Sequence, residues 1–539
     1  MKIKLIRAPS FDFKYLSKNR PLTCSMLPPL GIATLTAYLK SKGVNVEQDD
    51  LNIKTHYDNK KSKGEKRIDF LIFSNKKRIQ NYILGKHDTY LDEILSKFEK
   101  KTSLNNIDIL GLSIPDNLEN IPILITLSFA RYLKEKYDFP IVIGSETSYV
   151  VLETFKIGGR LKIIDYAIRG EGQQGLYKLL ESIESGTNLV NVPNLIYYEN
   201  KKMIQNECIR DNNFYLPCFD GLPFDEYTVK QPIKDYNIDS LPKRKILILP
   251  YRFMKGCPNK CIFCLNSIEK QLIVLSPEKV ADDLEILHKK YKCKYFFFLN
   301  ATLNISNLYV NSLCDEIIKR NMNISWTDCA RPDNFDKKTF VKMKEAGATR
   351  LVFGLETGSP RMLNYINKNL DINQVERNLK LCHEVGIWIY VEIIVGLPHE
   401  NESDIKKTIG FINKNDKYID NIFIHPFHLR PSVLLENPEK YGITNIRRIM
   451  EWANRTNQPL NLRTLRYKFD EIGGLKWKDK REQINLAWKK IYRSTNNKGG
   501  GMPNFETMPL LFYLYEIFDK NKMNVREIYN EVIVNTLAS

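Results

Sequence analysis

The 539-residue sequence predicts an α/β protein built in successive pieces. A Rossmann-like domain occupies residues 1–215, a linker 216–244, a partial (β/α)6 TIM-type barrel 245–434, and a helical C-terminal region 435–539. Three observations carry this. Short apolar runs alternate with helix-length segments over the first 215 residues, the pattern of a parallel sheet covered by helices. From Lys245 the alternation restarts and completes six βα repeats in about 185 residues, as a partial barrel would. Beyond residue 435 the apolar residues follow a helical period instead. A chain of this length is also too long for one core.

The first strand is expected at Ile3–Arg7. Pro28-Pro-Leu-Gly31 then leads into a helix, Ile32–Lys42, that Gly43 ends. Val44–Gln48 is the second strand and closes on Asp49-Asp-Leu-Asn52, before a Lys-rich polar insertion near 54–68. Further strands are expected at Asp108–Ile114, Pro140–Ile143 and Asp165–Arg169, with a helix over Ile121–Tyr137. A strand pair follows at Asn194–Asn200 and Lys202–Gln205. Pro217, Pro223, Pro232 and Pro242 then interrupt any continuous helix or central strand, which marks the linker.

In the barrel, strands are expected at Lys245–Leu249, Tyr295–Leu299, Ile324–Ala330, Arg350–Leu355, Ile387–Val395 and Asn421–Pro426. The intervening helices are Pro277–Lys290, Leu308–Arg320, Lys337–Ala346, Ile372–Val385 and Glu402–Asn413. Helical periodicity returns around Trp452, Leu475–Tyr492 and Met508–Asn530, broken by Gly499-Gly-Gly501.

Composition narrows the class. Hydrophobic content of 43% and a mean hydropathy of −0.35 describe a soluble globular chain, and no apolar run approaches the roughly 18 residues of a membrane span. The chain opens on a strand-like run instead of a secretory signal, and its ten cysteines form no disulfide framework. A reducing cytoplasm is the expected location. The net charge is +18, and Lys440–Lys498 holds 15 Lys and Arg against 5 Asp and Glu. A solvated surface in a Lys-rich chain accounts for that excess, so nucleic acid is not an expected partner.

Chemistry concentrates in Arg252-Phe-Met-Lys-Gly-Cys-Pro-Asn-Lys-Cys-Ile-Phe-Cys-Leu-Asn266. Gly256 and Pro258 keep the backbone out of helix, so the thiols of Cys257, Cys261 and Cys264 can converge. Three thiolates with no fourth ligand nearby suit an iron–sulfur cube better than structural zinc, and leave one iron without a protein ligand.

The Cys-x3-Cys-x2-Cys spacing, with Phe263 before the last Cys, resembles the radical S-adenosylmethionine (SAM) superfamily. The resemblance implies a [4Fe-4S] cluster on Cys257, Cys261 and Cys264, whose open iron chelates SAM and cleaves it to a 5′-deoxyadenosyl radical. It also implies SAM contacts from Phe263, from Asn300 and Arg331 at strand ends, from Gly354 and Glu356 in Gly354-Leu-Glu-Thr-Gly-Ser359, and from Gly396 and Pro398 in Gly396-Leu-Pro-His-Glu400. No single catalytic side chain stands out; His399, His425 and His428 lie near strand ends, where a structural role is the plainer reading.

Upstream, the ordered turns Pro28–Gly31, Asp50–Asn52, Ser113–Asp116, Gly144–Glu146 and Gly170–Gly172 sit at carboxyl ends of predicted strands, where such sheets bind ligands. The set resembles the N-terminal domain of cobalamin-dependent radical SAM enzymes. It implies cobalamin contacts from Pro29, Gly31, Asn52, Ser113, Gly144, Ser145, Gly170 and Glu171. The Asp-x-His-x-x-Gly signature is absent, so a base-off corrinoid without a His ligand is implied. Residues 1–200 hold only Cys24 and no Cys follows residue 435, so the cysteine sets of related enzymes with a second cluster are missing.

Methyl transfer to an unactivated carbon is the expected reaction, on a small molecule or peptide, with an external electron donor such as flavodoxin or ferredoxin. Radical rearrangement, cyclisation or carbon–carbon coupling on a vestigial cobalamin domain is the alternative within the same motifs. A cobalamin- or redox-responsive nucleic-acid-binding protein is the alternative outside enzymes.

Overall fold

A computed structural model describes residues 1–10, 27–61, 68–115, 121–228, 245–268, 271–450, 463–495, 504–518 and 525–529. Cys24, Asp116, Trp452, Gly499–Gly501 and most of the predicted linker lie outside the described residues. Two compact units divide at Tyr227/Thr228, inside the predicted linker. The first holds Met1–Tyr227 with Ile449–Leu465, and the second Thr228–Arg448 with Arg466–Ser539. No helix among the described residues is long and apolar enough to cross a membrane.

The first unit is a seven-stranded sheet of β1 (Lys2–Arg7), β2 (Asn45–Asp50), β3 (Ile109–Ser113), β4 (Ile141–Gly144), β5 (Tyr166–Ile168), β6 (Leu195–Glu199) and β7 (Lys202–Gln205). Their order is β2-β1-β3-β4-β5-β6-β7; the first five are parallel and the last two add an antiparallel edge. Both faces are covered, which explains the near-continuous apolar strands. On β4, Ile141 and Ile143 enter one core while Val142 enters the other, the period of two that a doubly covered strand requires. A Cβ at Gly111 would lie 2.6 Å from Leu5 Cδ2, so this glycine makes room within the sheet.

One junction differs from expectation. The expected turn at Asp49–Asn52 is absent: β2 runs on to Asp50 and a helix starts directly at Leu51. The buried Asp50 carboxylate makes this possible by accepting from the Asn52 and Ile53 amides at 2.8 and 3.2 Å, which caps the helix without a loop.

The second unit is built on β8 (Ile248–Tyr251), a small antiparallel pair of β9 (Met254–Lys255) and β10 (Ile273–Val274), then β11 (Tyr295–Phe298), β12 (Ser325–Ala330), β13 (Ala348–Glu356), β14 (Trp388–Val395) and β15 (Asn421–Pro426). Six strands form one parallel sheet in the order β8-β11-β12-β13-β14-β15, whose two edge strands do not pair. This is the open (β/α)6 barrel.

The C-terminal region corrects the helical expectation in part. It opens with an antiparallel pair, β16 (Ile443–Met450) and β17 (Arg463–Glu471), before the helices Trp477–Ser494 and Asn504–Ile517. The reason is visible in β17, where Leu465, Tyr467 and Phe469 alternate with Arg466, Lys468 and Asp470: a period of two, with β-favouring aromatics. Both helices belong to the same compact unit as the barrel.

Candidate functional site

Strand β8 delivers the chain to the carboxyl edge of the barrel, where the Leu299 amide donates to the Tyr251 carbonyl at 2.8 Å. The β9–β10 pair then turns the chain back through Gly256, at φ +79°, where a Cβ would collide with the Gln271 carbonyl oxygen. Only glycine fits both the space and the dihedral there. The cysteine loop that follows is tied down along its length. The Ile262 amide donates to Ile366 O at 3.0 Å, Leu434 N to Ile262 O at 2.9 Å, and the Ser267 hydroxyl to Cys264 O at 2.6 Å.

All three thiols are free of disulfides; Cys261 is buried and the other two half-buried. Burial pushes the Cys261 and Cys264 thiols up, and their neighbouring sulfurs add repulsion. Lys368 and Arg331 oppose the shift at Cys261. No three His, Cys, Asp or Glu side chains among the described residues converge on a single metal-ion position. Three free thiols carried on one short loop, with Cys261 and Cys264 desolvated, are a donor set suited to an iron–sulfur cluster.

The first neighbour of this loop is a residue the sequence reading did not single out. Lys368 donates to Glu356 Oε1 at 2.6 Å, with both side chains buried, and its charge reaches Cys261. Glu356 sits at φ +69°, next to a register shift between Gly354 and Glu356 that turns its carboxylate toward Lys368. A Cβ on Gly354 would lie 2.7 Å from Glu356 Oε1 and 2.9 Å from Lys368 Nζ, so the glycine opens the space for the pair. Asn367 and Asn369, both at positive φ, form the turn that presents Lys368. The run Asn-Lys-Asn was the available signal, since Asn tolerates that region.

Other expected SAM contacts are engaged within the protein. The Arg331 fork donates to both oxygens of Asp333, at 3.0 and 2.9 Å, and to the Lys368 carbonyl at 2.7 Å. The carboxylate it holds is therefore internal, where the sequence pointed to one from SAM. Asn300 is buried; its amide donates to Asp328 at 2.7 Å and its oxygen accepts from the Phe253 amide at 3.3 Å. Burial drives Asp328 well above the usual carboxylate range. Gly396, at φ +85°, makes its close approach to Ile484, and Pro398 beside it is buried. Phe263 packs half-buried against a cluster that includes Ile262, Met362 and Phe427.

The histidines differ from one another. His399 is structural: its Nε2 lies 2.9 Å from Gly442 O and its amide donates to Glu471 at 2.7 Å. His425, on β15, lies half-exposed with Nε2 3.6 Å from Glu392, another residue the sequence reading missed. His428 follows in the turn after β15.

In the first unit the expected cobalamin positions gather at the carboxyl ends of β1–β5. Pro29 is the extended N-cap of the helix Leu30–Ser41, and Gly31 is exposed with open space at its Cα. Ser113 ends β3, Gly144 ends β4, and Ser145 is buried next to it. Gly170, at φ +73°, follows β5. Two members serve the fold directly: buried Asn52 accepts from the Ser10 amide at 2.9 Å, and Glu171 accepts from Asp211 N at 2.7 Å.

Residues 251–412 match the family model described as the Radical SAM superfamily. Among curated proteins, the chain is 30% identical over 260 residues to an uncharacterised methyltransferase of Pyrococcus horikoshii, covering 47% of this chain and 53% of that one. The chain spans about half the length of the first curated relatives it matches. Among solved structures it superposes on TsrM, a radical SAM methyltransferase of Kitasatospora setae solved with cobalamin and a [4Fe-4S] cluster, with a TM-score of 0.62 at 15% identity over 100% of both chains. OxsB, a cobalamin-dependent SAM radical enzyme, gives 0.60 at 14% identity over 99% of this chain and 78% of that one. At these identities the likeness to both is one of fold.

Proposed function

From a chain that carries a radical SAM domain in the fold of cobalamin-dependent radical SAM enzymes, we infer an enzyme that transfers a methyl group to an unactivated carbon. The observation that carries this is the loop of three free thiols at the carboxyl edge of the barrel, with the buried Lys368–Glu356 pair beside it. Cys257, Cys261 and Cys264 would hold the [4Fe-4S] cluster. Pro29, Gly31, Ser113, Gly144, Ser145 and Gly170, at the strand ends of the first unit, would line the corrinoid site, with Asn52 and Glu171 shaping its wall. When bound, the cluster and SAM supply a 5′-deoxyadenosyl radical and the corrinoid supplies the methyl group.

The protein's own part is placement. Gly354 leaves room beside Glu356, which would accept from SAM hydroxyl or ammonium groups, while Lys368 balances the charge of the thiolates. Arg331, Asn300, Phe263, Gly396 and Pro398 act one layer out, fixing the walls of the SAM site through the contacts above. An external electron donor of flavodoxin or ferredoxin type would reduce the loaded enzyme.

The test is anaerobic reconstitution followed by iron, sulfide and corrinoid analysis, then incubation with SAM and reductant. We expect about four irons per chain, one corrinoid, and 5′-deoxyadenosine that disappears in Cys261→Ala. An iron content below three per chain, or a Cys261→Ala variant as active as the parent, sinks the reading. Activity with no corrinoid bound would remove methyl transfer and leave radical rearrangement, cyclisation or coupling.

A further inference from the structure

The end of β13 continues as Thr357-Gly358-Ser359, and the end of β14 as the turn at residues 396–400. Both runs are fastened to the start of one helix, Glu402–Asn415. Ser359 is fully buried and is the N-cap of the short helix Pro360–Tyr365, yet its side chain caps nothing there. A serine at that position ordinarily bonds its own helix. Here the hydroxyl donates to Asp404 Oδ1 at 2.6 Å, on the neighbouring helix. Arg361 reaches the same carboxylate with Nε, at 3.2 Å, and with a terminal nitrogen that also donates to the His399 carbonyl at 2.7 Å.

Asp404 is buried, and its Oδ2 also accepts from the Asn401 amide at 3.0 Å, one half of a capping box. Burial works against its charge, and the Arg361 and Ser359 donors overcome it, holding the carboxyl below the usual carboxylate range. One turn on, the Thr408 hydroxyl accepts from the Gly358 amide at 3.0 Å and lies 3.0 Å from the hydroxyl of Thr357. A Cβ on Gly358 would lie 2.8 Å from Thr408 Cα, so the strand end meets the helix backbone closely. Capping the helix needs only Asn401 and one Asp404 oxygen. The Ser359 and Arg361 contacts are surplus to that cap, and what they hold is the gap between the two strand ends.

We propose that Asp404 is a positioning residue for SAM. Through Ser359 and Arg361 it fixes the end of β13, which carries Glu356, against the turn after β14, which carries Gly396 and Pro398. This rests on the barrel being the SAM-cleaving unit, and it adds what sets the width of that site. Asp404 acts through its partners and not on the reacting atoms. A group that orders the walls before the ligand arrives favours ground state and transition state alike, so its loss raises KM and leaves kcat in place.

The test uses reconstituted full-length enzyme, with 5′-deoxyadenosine formation followed against SAM concentration. Asp404→Asn is expected to raise KM for SAM at least tenfold with kcat within twofold of the parent, and Ser359→Ala, the milder change, at least threefold. Both act through one bond, so adding Ser359→Ala to Asp404→Asn is expected to change KM by less than twofold. Ile412→Val, buried on the same helix and making none of these bonds, is expected to lower the urea midpoint and leave KM unchanged. A KM within twofold of the parent in both Asp404→Asn and Ser359→Ala, a fall in kcat at constant KM, KM effects that multiply, or an equal rise in KM in Ile412→Val overturns the proposal. A parent that cleaves no SAM overturns the enzyme reading beneath it as well, so the two failures are distinct.

Discussion

Lys368 is where residue-scale chemistry is most exposed to test. It is buried, and its ammonium is held against Glu356 beside a thiol that burial disfavours as thiolate. Removing one partner of such a pair strands the other charge, at a cost of about 3–5 kcal/mol. Lys368→Met should therefore lower the stability of the cluster-free chain in urea by that order, and raise the Kd for SAM in the reconstituted enzyme. The double variant Lys368→Met/Glu356→Gln should recover most of the stability and none of the SAM affinity. Recovery of both would make the pair a packing device only. Gly354→Ala separates space from charge: its methyl would press on both partners, so SAM binding should weaken by at least tenfold with every charge still present. Unchanged SAM binding would show that the pair can shift without consequence. Cys257, Cys261 and Cys264 were legible because they are adjacent in the chain, but Lys368 was not. Its meaning depends on a register shift in β13 and a turn at Asn367–Asn369, neither of which has a period.

At the scale of elements, the helix Trp477–Ser494 locks the turn after β14. Lys480 donates to the Leu397 carbonyl at 2.7 Å and pairs with Glu471 at 2.8 Å, Gln483 donates to Glu400 O at 2.9 Å, and Ile484 packs where Gly396 lacks a side chain. Glu400 beneath it is buried, and burial raises its carboxyl to about 7 although the Gly396 amide, which donates at 2.5 Å, and Lys480 oppose the shift. A carboxyl raised above its unfolded value binds its proton more tightly in the folded chain. Stability is thus complete below the unfolded value near 4.5 and falls as pH rises toward 7, by up to about 3 kcal/mol. Urea melts between pH 5 and 7.5 should show this decline in the parent and a flatter profile in Glu400→Gln. Parallel profiles would place the titration elsewhere. The barrel strands themselves were legible to within three residues, and Asn421–Pro426 was legible residue for residue, because buried parallel strands are short, apolar and regularly spaced. The pair β16–β17 was not, since basic residues between its apolar ones imitate an amphipathic helix when read at the wrong period.

Across the whole molecule, the net charge of +18 says less about partners than its size implies, because the basic C-terminal segment spends part of its charge internally. Lys480 pairs with Glu471, Lys490 with Glu402, Arg447 with Asp470 at 3.9 Å, and Arg448 donates to the Tyr467 hydroxyl at 2.8 Å. The chain's later part closes the barrel instead. In the helix Asn504–Ile517, residues Met508–Tyr515 are buried on every side, which an amphipathic surface helix would not allow. Phe512 meets Tyr295 at the start of β11 with ring centroids 5.0 Å apart, and Tyr515 meets Trp388 at the start of β14 at 6.4 Å. Arg526 pairs with Asp420, just before β15, at 3.3 Å. These contacts fall at the amino ends of the strands, opposite the thiol loop, so the segment seals the barrel floor and leaves the chemical edge open. Leu514→Ala should then cost about 2–5 kcal/mol in urea unfolding, as a core cavity does. Leu486→Ala, on the exposed face of the preceding helix, should stay within about 0.5 kcal/mol of the parent. Equal losses in the two variants would mean that the helix Asn504–Ile517 does not close the barrel, and that its apolar surface is turned to another task.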